Sequence, residues 1–535
     1  MSSLPHTRDL FASQSNDQPA ARPGLIGRFS PYAWLWLALS VISGMLSSGH
    51  WVVPILAWFG PVFSLLFLTT RPDWIGKMSL LAAGYFVFVF TQRGIIPIAD
   101  HELAVAGLLG AFLGFSPYWI YRRLSERFAS YWVTLTFPAM IVAIEFLLAQ
   151  GPFGTWGSVA TTQYRNSAII QVLSFTGIAG LVFLIHWFAA SVAWIWGASA
   201  DHGRRRWPIM TTTAVMLLIA IGGELRLTFQ GDTRDQVKVA GIVINESAFQ
   251  QEATRDIIKS IRSGQPTDER ITRAFLESLD KRKSELFARS AAAANMGAKV
   301  VYWSEACLAV RPDDEPAIID SGKAFAKTHN VYFGMTLATM CYTDADDFIE
   351  NKIVLAHPDG RTTNVYVKSI IPPGEPSVAG SGDVPSIQSS FGVISNVICF
   401  DTDFSKLMRQ PGRGGARIVI APSNDWPAAA EPHLAVSSLR AVENNYSLVR
   451  VTSNGISAVI DPFGRLNFQS NSIGNDSPDF VVDVPLGSGQ TPYALLGDWL
   501  AIASCCVALI SVVFAILPSK QGKGSTIPAH KNSSP

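Results

Sequence analysis

Charge is scarce in this chain of 535 residues: Asp, Glu, Lys and Arg together make up 16% of it and nearly cancel, to a formal net charge of +1. A chain so balanced is not a general polyanion binder, and no basic stripe interleaved with aromatics is present to track a nucleic-acid backbone. Nucleic acid is excluded as a partner. Cysteine is scarce as well: Cys307, Cys341, Cys399, Cys505 and Cys506 stand at no metal-ligand spacing, so no metal and no other cofactor is implied. An odd number leaves at least one free thiol even in an oxidising compartment. Apolar residues, in contrast, reach 48% in a chain too long for one ordinary domain. That balance indicates a membrane protein.

Apolar runs long enough for a bilayer lie at Pro31–Gly49, Val52–Thr70, Trp74–Thr91, Leu103–Ile120, Tyr131–Ala149, Ile169–Trp196 and Trp499–Leu517, with a shorter, weaker one at Pro208–Gly223. Counting the weak run gives seven spans before a long polar block and one after it. The proposed inner segments hold Arg71, Lys77, Arg122, Arg123, the run Arg204–Arg206 and Lys520 among others, whereas the short outer loops hold only Arg93 and Arg165. Lys and Arg in short loops stay on the cytoplasmic side, which puts both termini inside and the large block outside. The expected organisation is a cytoplasmic tail over 1–30, seven spans over 31–225, an extracytoplasmic domain over 226–490, a last span over 491–517 and a cytoplasmic tail over 518–535. The first tail carries Ser, Asp and Pro and does not resemble a cleaved signal peptide. One charge, Glu145, sits inside a span; it packs against a polar neighbour or lines a substrate path.

Within the block the pattern changes to short β-branched runs, among them Val237–Asn245, Lys299–Trp303, Val331–Thr339, Thr362–Val367, Phe391–Cys399, Arg417–Ala421 and Leu448–Thr452. Arg270–Asn295 and His433–Tyr446 carry helical spacing between them. Strands alternating with helices indicate a layered α/β domain of about 250 residues, enough for its own core. Three polar residues stand at strand ends: Glu305 two residues after "AKVVYW", Lys368 directly after "TTNVYV", and Cys399 closing "FGVISNVIC". Ligands of α/β sheets collect where strands end, and a thiol becomes a nucleophile when a base and a cation favour its thiolate. Taken singly, each has an ordinary reading: a solvated Glu, a solvated Lys, a small core Cys.

The set "YWSEA" (Tyr302–Ala306), "YVKSIIPPGE" (Tyr366–Glu375), "NVICFD" (Asn396–Asp401) and "PSNDW" (Pro422–Trp426) resembles the nitrilase, or carbon–nitrogen hydrolase, superfamily. Seven spans before such a domain and one after it resemble its membrane branch, the apolipoprotein N-acyltransferase family. "GTWGSVATTQYRNSAIIQVLSFTGIAGLVFLI" (Gly154–Ile185) and "LRAVENNYSLVRVTSNGISAVIDPFGR" (Leu439–Arg465) extend the resemblance over most of Pro31–Leu517. It implies an α+β membrane protein, an eight-helix transmembrane bundle carrying a nitrilase-like α-β-β-α sandwich. The sequence departs from the family near the implied site: Trp303-Ser304-Glu305 replaces Trp-Pro-Glu, the stretch from Lys368 to Glu375 is one residue short, Cys399-Phe400-Asp401 replaces Cys-Tyr-Glu, and no Phe-Gly follows Asn424-Asp425-Trp426.

The resemblance further implies a Glu305, Lys368 and Cys399 triad without metal or cofactor. Cys399 attacks a phospholipid ester to form a thioester, Glu305 takes the thiol proton, and Lys368 stabilises thiolate and oxyanion. The amine of a diacylated lipoprotein then accepts the acyl chain. Glu375 orients Lys368 or assists proton transfer; Asp401 supplies the charge of the family Glu or caps a turn; Glu145 matches an intramembrane Glu of the family. The expected setting is a monomer in a bacterial inner membrane with the catalytic domain in the periplasm. Two other readings use the same sequence, a membrane-tethered amidase or nitrilase with water as second nucleophile, and a scaffold that has lost catalysis. Cys307 and Cys341 either pair or remain thiols, and His433 is expected at a helix start.

Overall fold

The computed structural model describes residues 32–49, 51–128, 130–197, 202–230, 235–245, 251–263, 268–341, 346–363, 365–474 and 479–518. The tail expected over 1–30, and all but residue 518 of that expected over 518–535, lie outside them. Each of the eight apolar runs contains helix. Six helices are long and apolar enough to cross a membrane: Trp74–Gln92, Asp100–Arg127, Tyr131–Leu148, Ile178–Gly197, Arg205–Phe229 and Trp499–Ile516. Ala33–Met45 and Pro54–Thr70 are apolar but shorter. Side chains such as Leu108, Leu218 and Leu509 stand 62%, 70% and 67% exposed, an outer surface suited to hydrocarbon.

Two expectations change. The weak run Pro208–Gly223 is the middle of a helix of 29 residues, His202–Gln230, and Arg226 near its end is satisfied locally by donating to Gln171 Oε1 at 2.8 Å. The run Ile169–Trp196 is broken: Ser167–Ile170 and Leu173–Thr176 are separate short helices before Ile178–Gly197. The break falls at Gly177, whose φ of +61° favours glycine and whose Cβ would stand 2.3 Å from the Tyr493 ring. Close docking of that ring requires glycine there.

The block between the last two of these helices is a sandwich. One sheet of seven strands runs in the order Phe480–Pro485, Gln236–Ile242, Val300–Trp303, Tyr332–Met340, Ile349–Ala356, Tyr366–Val367, with Leu308–Val310 also paired to Tyr332–Met340. The other, of six, runs Leu466–Asn471, Ile456–Ile460, Ser447–Ser453, Ala416–Asn424, Gly392–Asn396, Ile387–Ser389. The two-residue period of a strand explains the layering. Val239, Val300, Tyr302 and Ile353 join one apolar cluster with Ile394 and Ile418 of the second sheet, while Ala240, Val301, Trp303 and Val354 join another with Phe275, Leu286 and Phe325 of the helices Glu269–Asn295 and Glu315–His329. Helix, sheet, sheet, helix is the resulting order. The strand Ile349–Ala356 is absent from the runs named in the sequence; its polar opening Ile-Glu-Asn-Lys hides it.

The second outer helix, Ala430–Asn444, is buried on every side from His433 onwards, because it lies between the six-stranded sheet and the apolar helices. Such a helix has no solvated face for its charges. Arg440 and Glu443 are therefore paired at 2.5 Å, and Glu443 also accepts from the backbone N–H of Ile178 at 2.8 Å. Arg440 donates further to Thr402 O at 3.0 Å and to Thr155 Oγ1 at 2.5 Å, and the Thr155 N–H donates to Asp403 O at 3.0 Å. Gly154 (φ +55°) comes so near that a Cβ would meet Asp403 O at 2.6 Å. One guanidinium thus ties the turn after Glu145 to the segment after Cys399. Arg440→Met should cost about 3–5 kcal/mol by leaving Glu443 charged and unpaired in a dry site. An unchanged thermal-unfolding midpoint in detergent would show that the pair does not hold this junction.

Candidate active site

Glu305 follows the strand Val300–Trp303, and the chain turns sharply after it, with Ala306 at φ +48°. The residue that replaces the family Pro has its own work: Ser304 Oγ accepts from the Ile244 N–H at 3.2 Å and bonds Ser453 Oγ at 2.8 Å, joining the two sheets under the carboxylate. Lys368 follows the short strand Tyr366–Val367; its N–H donates to Asn351 O at 2.8 Å and its carbonyl accepts from Gly380 at 2.8 Å. Those backbone bonds aim the side chain inward, where it is 1% exposed.

Lys368 Nζ lies 2.9 Å from Glu305 Oε1 and 2.6 Å from Glu375 Oε2. Asn351 Nδ2 donates to Glu305 Oε1 at 2.7 Å and to Glu375 Oε1 at 3.4 Å, and Ser377 Oγ donates to Glu375 Oε1 at 2.7 Å. Two acids share one buried cation, and their fates differ. Burial pushes the Glu305 carboxyl above its ordinary range, with Lys368 opposing it and Glu375 adding to it. Burial acts on Glu375 too, but Lys368 wins there and holds it below the ordinary range. Burial alone would lower the Lys368 ammonium, yet Glu305, Glu375 and Cys399 together raise it well above that of a free lysine. Glu305 Oε2 is buried with no hydrogen-bond partner among the described residues, an acceptor left open.

The thiol corrects one expectation: Cys399 does not close a strand. The strand is Gly392–Asn396, and Cys399 opens a 3-10 turn, Cys399–Asp403, at φ +46°. Such a conformation costs a non-glycine residue on the order of 1–3 kcal/mol and is held by its surroundings. Asp401 supplies much of that hold, because its carboxylate accepts from the N–H groups of Ile398 (2.9 Å), Ser369 (3.2 Å) and Ile370 (2.9 Å) and from the Tyr366 hydroxyl (2.7 Å). Asp401 is thus both the turn cap and a clamp that joins the cysteine turn to the lysine loop. Burial, followed by the Glu305 charge, raises the Cys399 thiol well above its ordinary range, so the resting group is the thiol.

Glu305, Lys368, Glu375 and Cys399 line one cavity of about 460 Å³, with Ile258 and Phe348 on its apolar wall. That size suits a chain-like organic ligand. Glu145 is not among its lining residues; it accepts from Ser158 Oγ at 2.6 Å, the polar packing contact that is the plainer of its two readings. All five cysteines are free, and Cys307 is buried against Ser304 Oγ at 3.1 Å.

The structure also assembles groups that the sequence reading left without a role. Asn351 bridges both acids; it lies on the strand that escaped notice, two residues from Ile349 and Ile353, so a polar residue on an apolar face was its signal. His433 does lie in the first turn of its helix, but it is also buried, with Nδ1 2.8 Å from Asp425 Oδ1. Cys399 Sγ, an Asp425 carboxylate oxygen and a His433 ring nitrogen come within 4.8 Å of one another, the one such trio among the described residues with atoms a metal ion could use. Linear spacing could not show it. The two Asp425 oxygens already face His433 and Arg450 at 2.8 Å each, and the Arg450 guanidinium supplies the positive charge that a cation would.

With this geometry in view, comparison with known proteins is informative. Residues 251–472 match the carbon-nitrogen hydrolase family. Over 530 aligned residues the chain is 26% identical to the apolipoprotein N-acyltransferase of Geobacter metallireducens, with 90% of this chain and 93% of that protein covered. Along nine-tenths of its length the chain is similar to that apolipoprotein N-acyltransferase. The Thermotoga maritima apolipoprotein N-acyltransferase is 23% identical, covering 90% of this chain and 84% of its own. Among solved structures, an amidase from Nesterenkonia sp. is 18% identical and matches 46% of this chain and 90% of its own, with a TM-score of 0.35.

The clamp has a measurable consequence. Each buried donor left without an acceptor costs about 1–3 kcal/mol, so Asp401→Ala should lower the unfolding midpoint far more than Cys399→Ala. Equal midpoints for the two variants would refute the clamp.

Proposed function

We propose that this protein transfers a fatty acyl chain from a phospholipid to the α-amine of the N-terminal diacylglyceryl-cysteine of lipoproteins, through a thioester on Cys399. The observation that carries the chemistry is a buried ammonium between two carboxylates that opens, with a thiol, on one cavity. The similarity to apolipoprotein N-acyltransferases along nine-tenths of the chain supports the substrate pair.

In the first step the open Glu305 Oε2 takes the Cys399 proton while sulfur bonds to the ester carbonyl carbon. An ammonium has three N–H donors, and Glu305 and Glu375 accept two from Lys368; the third is directed to the oxyanion that forms. Collapse breaks the carbon–oxygen bond, and the leaving oxygen takes the proton from Glu305 to give a lysophospholipid. In the second step a neutral amine attacks the thioester and gives a proton to Glu305. The carbon–sulfur bond then breaks, and the thiolate recovers that proton. The raised Cys399 value keeps the proton on sulfur at rest, and the raised Glu305 value makes its carboxylate a stronger base to receive that proton. Glu375 keeps Lys368 in place and charged throughout.

Eight spans, with the block 226–490 in the periplasm of a bacterial inner membrane and both tails in the cytoplasm, complete the proposal. The six long apolar helices, the two shorter ones and the Lys/Arg asymmetry support it. An even number of spans before the block would put it in the cytoplasm, so the helix Arg205–Phe229 is decisive. A reporter active only outside the cytoplasm should read positive when fused after Gln490 and negative when fused after Lys520; the reverse pattern would overturn the topology.

The acyl-enzyme is the direct test. Purified protein in detergent, given phospholipid and no lipoprotein, should gain one fatty-acyl mass on the Cys399 peptide, labile to neutral hydroxylamine. A diacylated peptide with a free α-amine should discharge it as an N-acyl product, and a peptide with a blocked amine should not. Cys399→Ala should abolish acylation, and Lys368→Ala should lower it by at least about 10²–10³, the usual loss for an oxyanion donor. Discharge by water at the same rate without any amine would make the protein a hydrolase, and acylation that survives Cys399→Ala would remove the thioester.

A further inference from the structure

A second charged cluster touches Cys399, and the acyl-transfer steps use none of it. Asp425 follows directly on the strand Ala416–Asn424, Arg450 lies in Ser447–Ser453, His433 is in Ala430–Asn444, and Asp403 ends the cysteine turn. All four are buried, 0–5% exposed. Asp425 Oδ1 is 3.9 Å from Cys399 Sγ. A carboxylate at that distance opposes ionisation of the thiol. It is poorly placed to act as a second base, since Arg450 donates to Oδ2 at 2.8 Å and His433 Nδ1 lies 2.8 Å from Oδ1.

The geometry at His433 decides what the cluster does. Nδ1 faces Asp425, and Nε2 faces Asp403 Oδ2 at 3.5 Å. A neutral imidazole has one N–H, so its other nitrogen would present a lone pair to a carboxylate oxygen. The chain Asp403–His433–Asp425 therefore needs one proton beyond the one on the neutral ring. Neither Asp403 oxygen has a hydrogen-bond partner among the described residues, and nor does His433 Nε2. No other donor reaches these atoms among the described residues. The rings of Trp156 and Trp426, with centroids 4.7 and 5.7 Å from that of His433, suit a cation.

We infer that His433 holds this extra proton, and that its imidazolium, with Arg450, cancels the Asp425 charge beside Cys399, making His433 a positioning residue for ionisation of the thiol. The role rests on Cys399 being the nucleophile. The charged groups that face His433 are Asp403 and Asp425; those that act on Cys399 are Glu305, Lys368, Asp425 and Arg450; Arg440 and Arg450 act on Asp403. Burial raises the Asp403 carboxyl to about 6, against His433, Arg440 and Arg450, so above that pH it is the ionised partner the ring requires.

Alkylation of Cys399 by iodoacetamide, read by peptide mass across pH, reports thiol ionisation whether or not acyl transfer occurs. His433→Gln keeps a donor for Asp425 but no charge, and should move the midpoint of the rate–pH curve up by roughly one unit, a tenfold loss of thiolate at fixed pH. Asp425→Asn removes the opposing charge and should move it down. The double variant should return towards the wild-type midpoint, because both charges are gone. Asp403→Asn should move it up, since the ring loses the carboxylate that holds its second proton. A His433→Gln midpoint equal to wild type, or single variants that shift in the same direction, would overturn the inference, as a merely structural role produces no opposed pair. A wild-type protein that never acylates at Cys399 would end the proposed function, while the opposed shifts would still establish the charge chain.

Discussion

Everything at this site depends on one ammonium taken out of water. Lys368 is 1% exposed, and a buried cation without partners would lose its proton or leave the site. Glu305 and Glu375 hold it from two directions, and Asn351 and Ser377 fix those acids in turn. Burial, aided by the Glu375 charge, pushes Glu305 up against Lys368, while at Glu375 the attraction of Lys368 outweighs burial. The asymmetry distinguishes the two acids: Glu305 is the more basic carboxyl, and Glu375 is held charged beside the lysine. Removing the lysine would set two buried acids against each other, so position and chemistry are not separable at this residue.

The cysteine turn depends on the same economy of contacts. Cys399 is held in a left-handed conformation by bonds on either side of it: Asp401 pulls its turn towards the lysine loop, and Thr155, Gly154 and Arg440 fix the next residues to the apolar helices. Trp426, next to Asp425, donates its indole N–H to Ile95 O at 3.1 Å, a second tie between the cavity wall and the helical part. The turn that carries the thiol is thus bonded directly to the helical part of the chain.

Much of this was legible in the residues. The strand before Glu305 is a continuous apolar run, and the run expected over Thr362–Val367 narrows to the strand Tyr366–Val367, but the polar residues after them stand out against an apolar background. The helix Glu269–Asn295 falls within one residue of its expected start. What escaped has a common cause. Ile349–Ala356 is a strand whose inward face includes Asn351, so its pattern is broken by the very residue that bridges the acids. Gly177 interrupts an unbroken apolar run because a ring from residue 493 docks there, a contact no local window contains. The Asp403, Asp425, His433 and Arg450 cluster draws on a turn, a strand end, a helix and a strand, and only the folded sheet brings them together.

The departures from the family pattern also make physical sense once the clamp is considered. Asp401 stands where the family has a glutamate, one methylene longer, and the stretch from Lys368 to Glu375 is one residue shorter than usual. The Asp401 carboxylate binds the N–H groups of Ser369 and Ile370, the first two residues of that shortened stretch. A shorter side chain reaches less far, and it requires the loop it holds to lie closer. With both as they stand, Lys368 Nζ is 2.6 Å from Glu375 and the Asp401 carboxylate accepts from the Ile398 N–H at 2.9 Å, which keeps the cysteine turn closed. Ser304 adds a further tie, since its hydroxyl accepts from Ser453 Oγ and from the Ile244 N–H and so bonds the two sheets together beside Glu305.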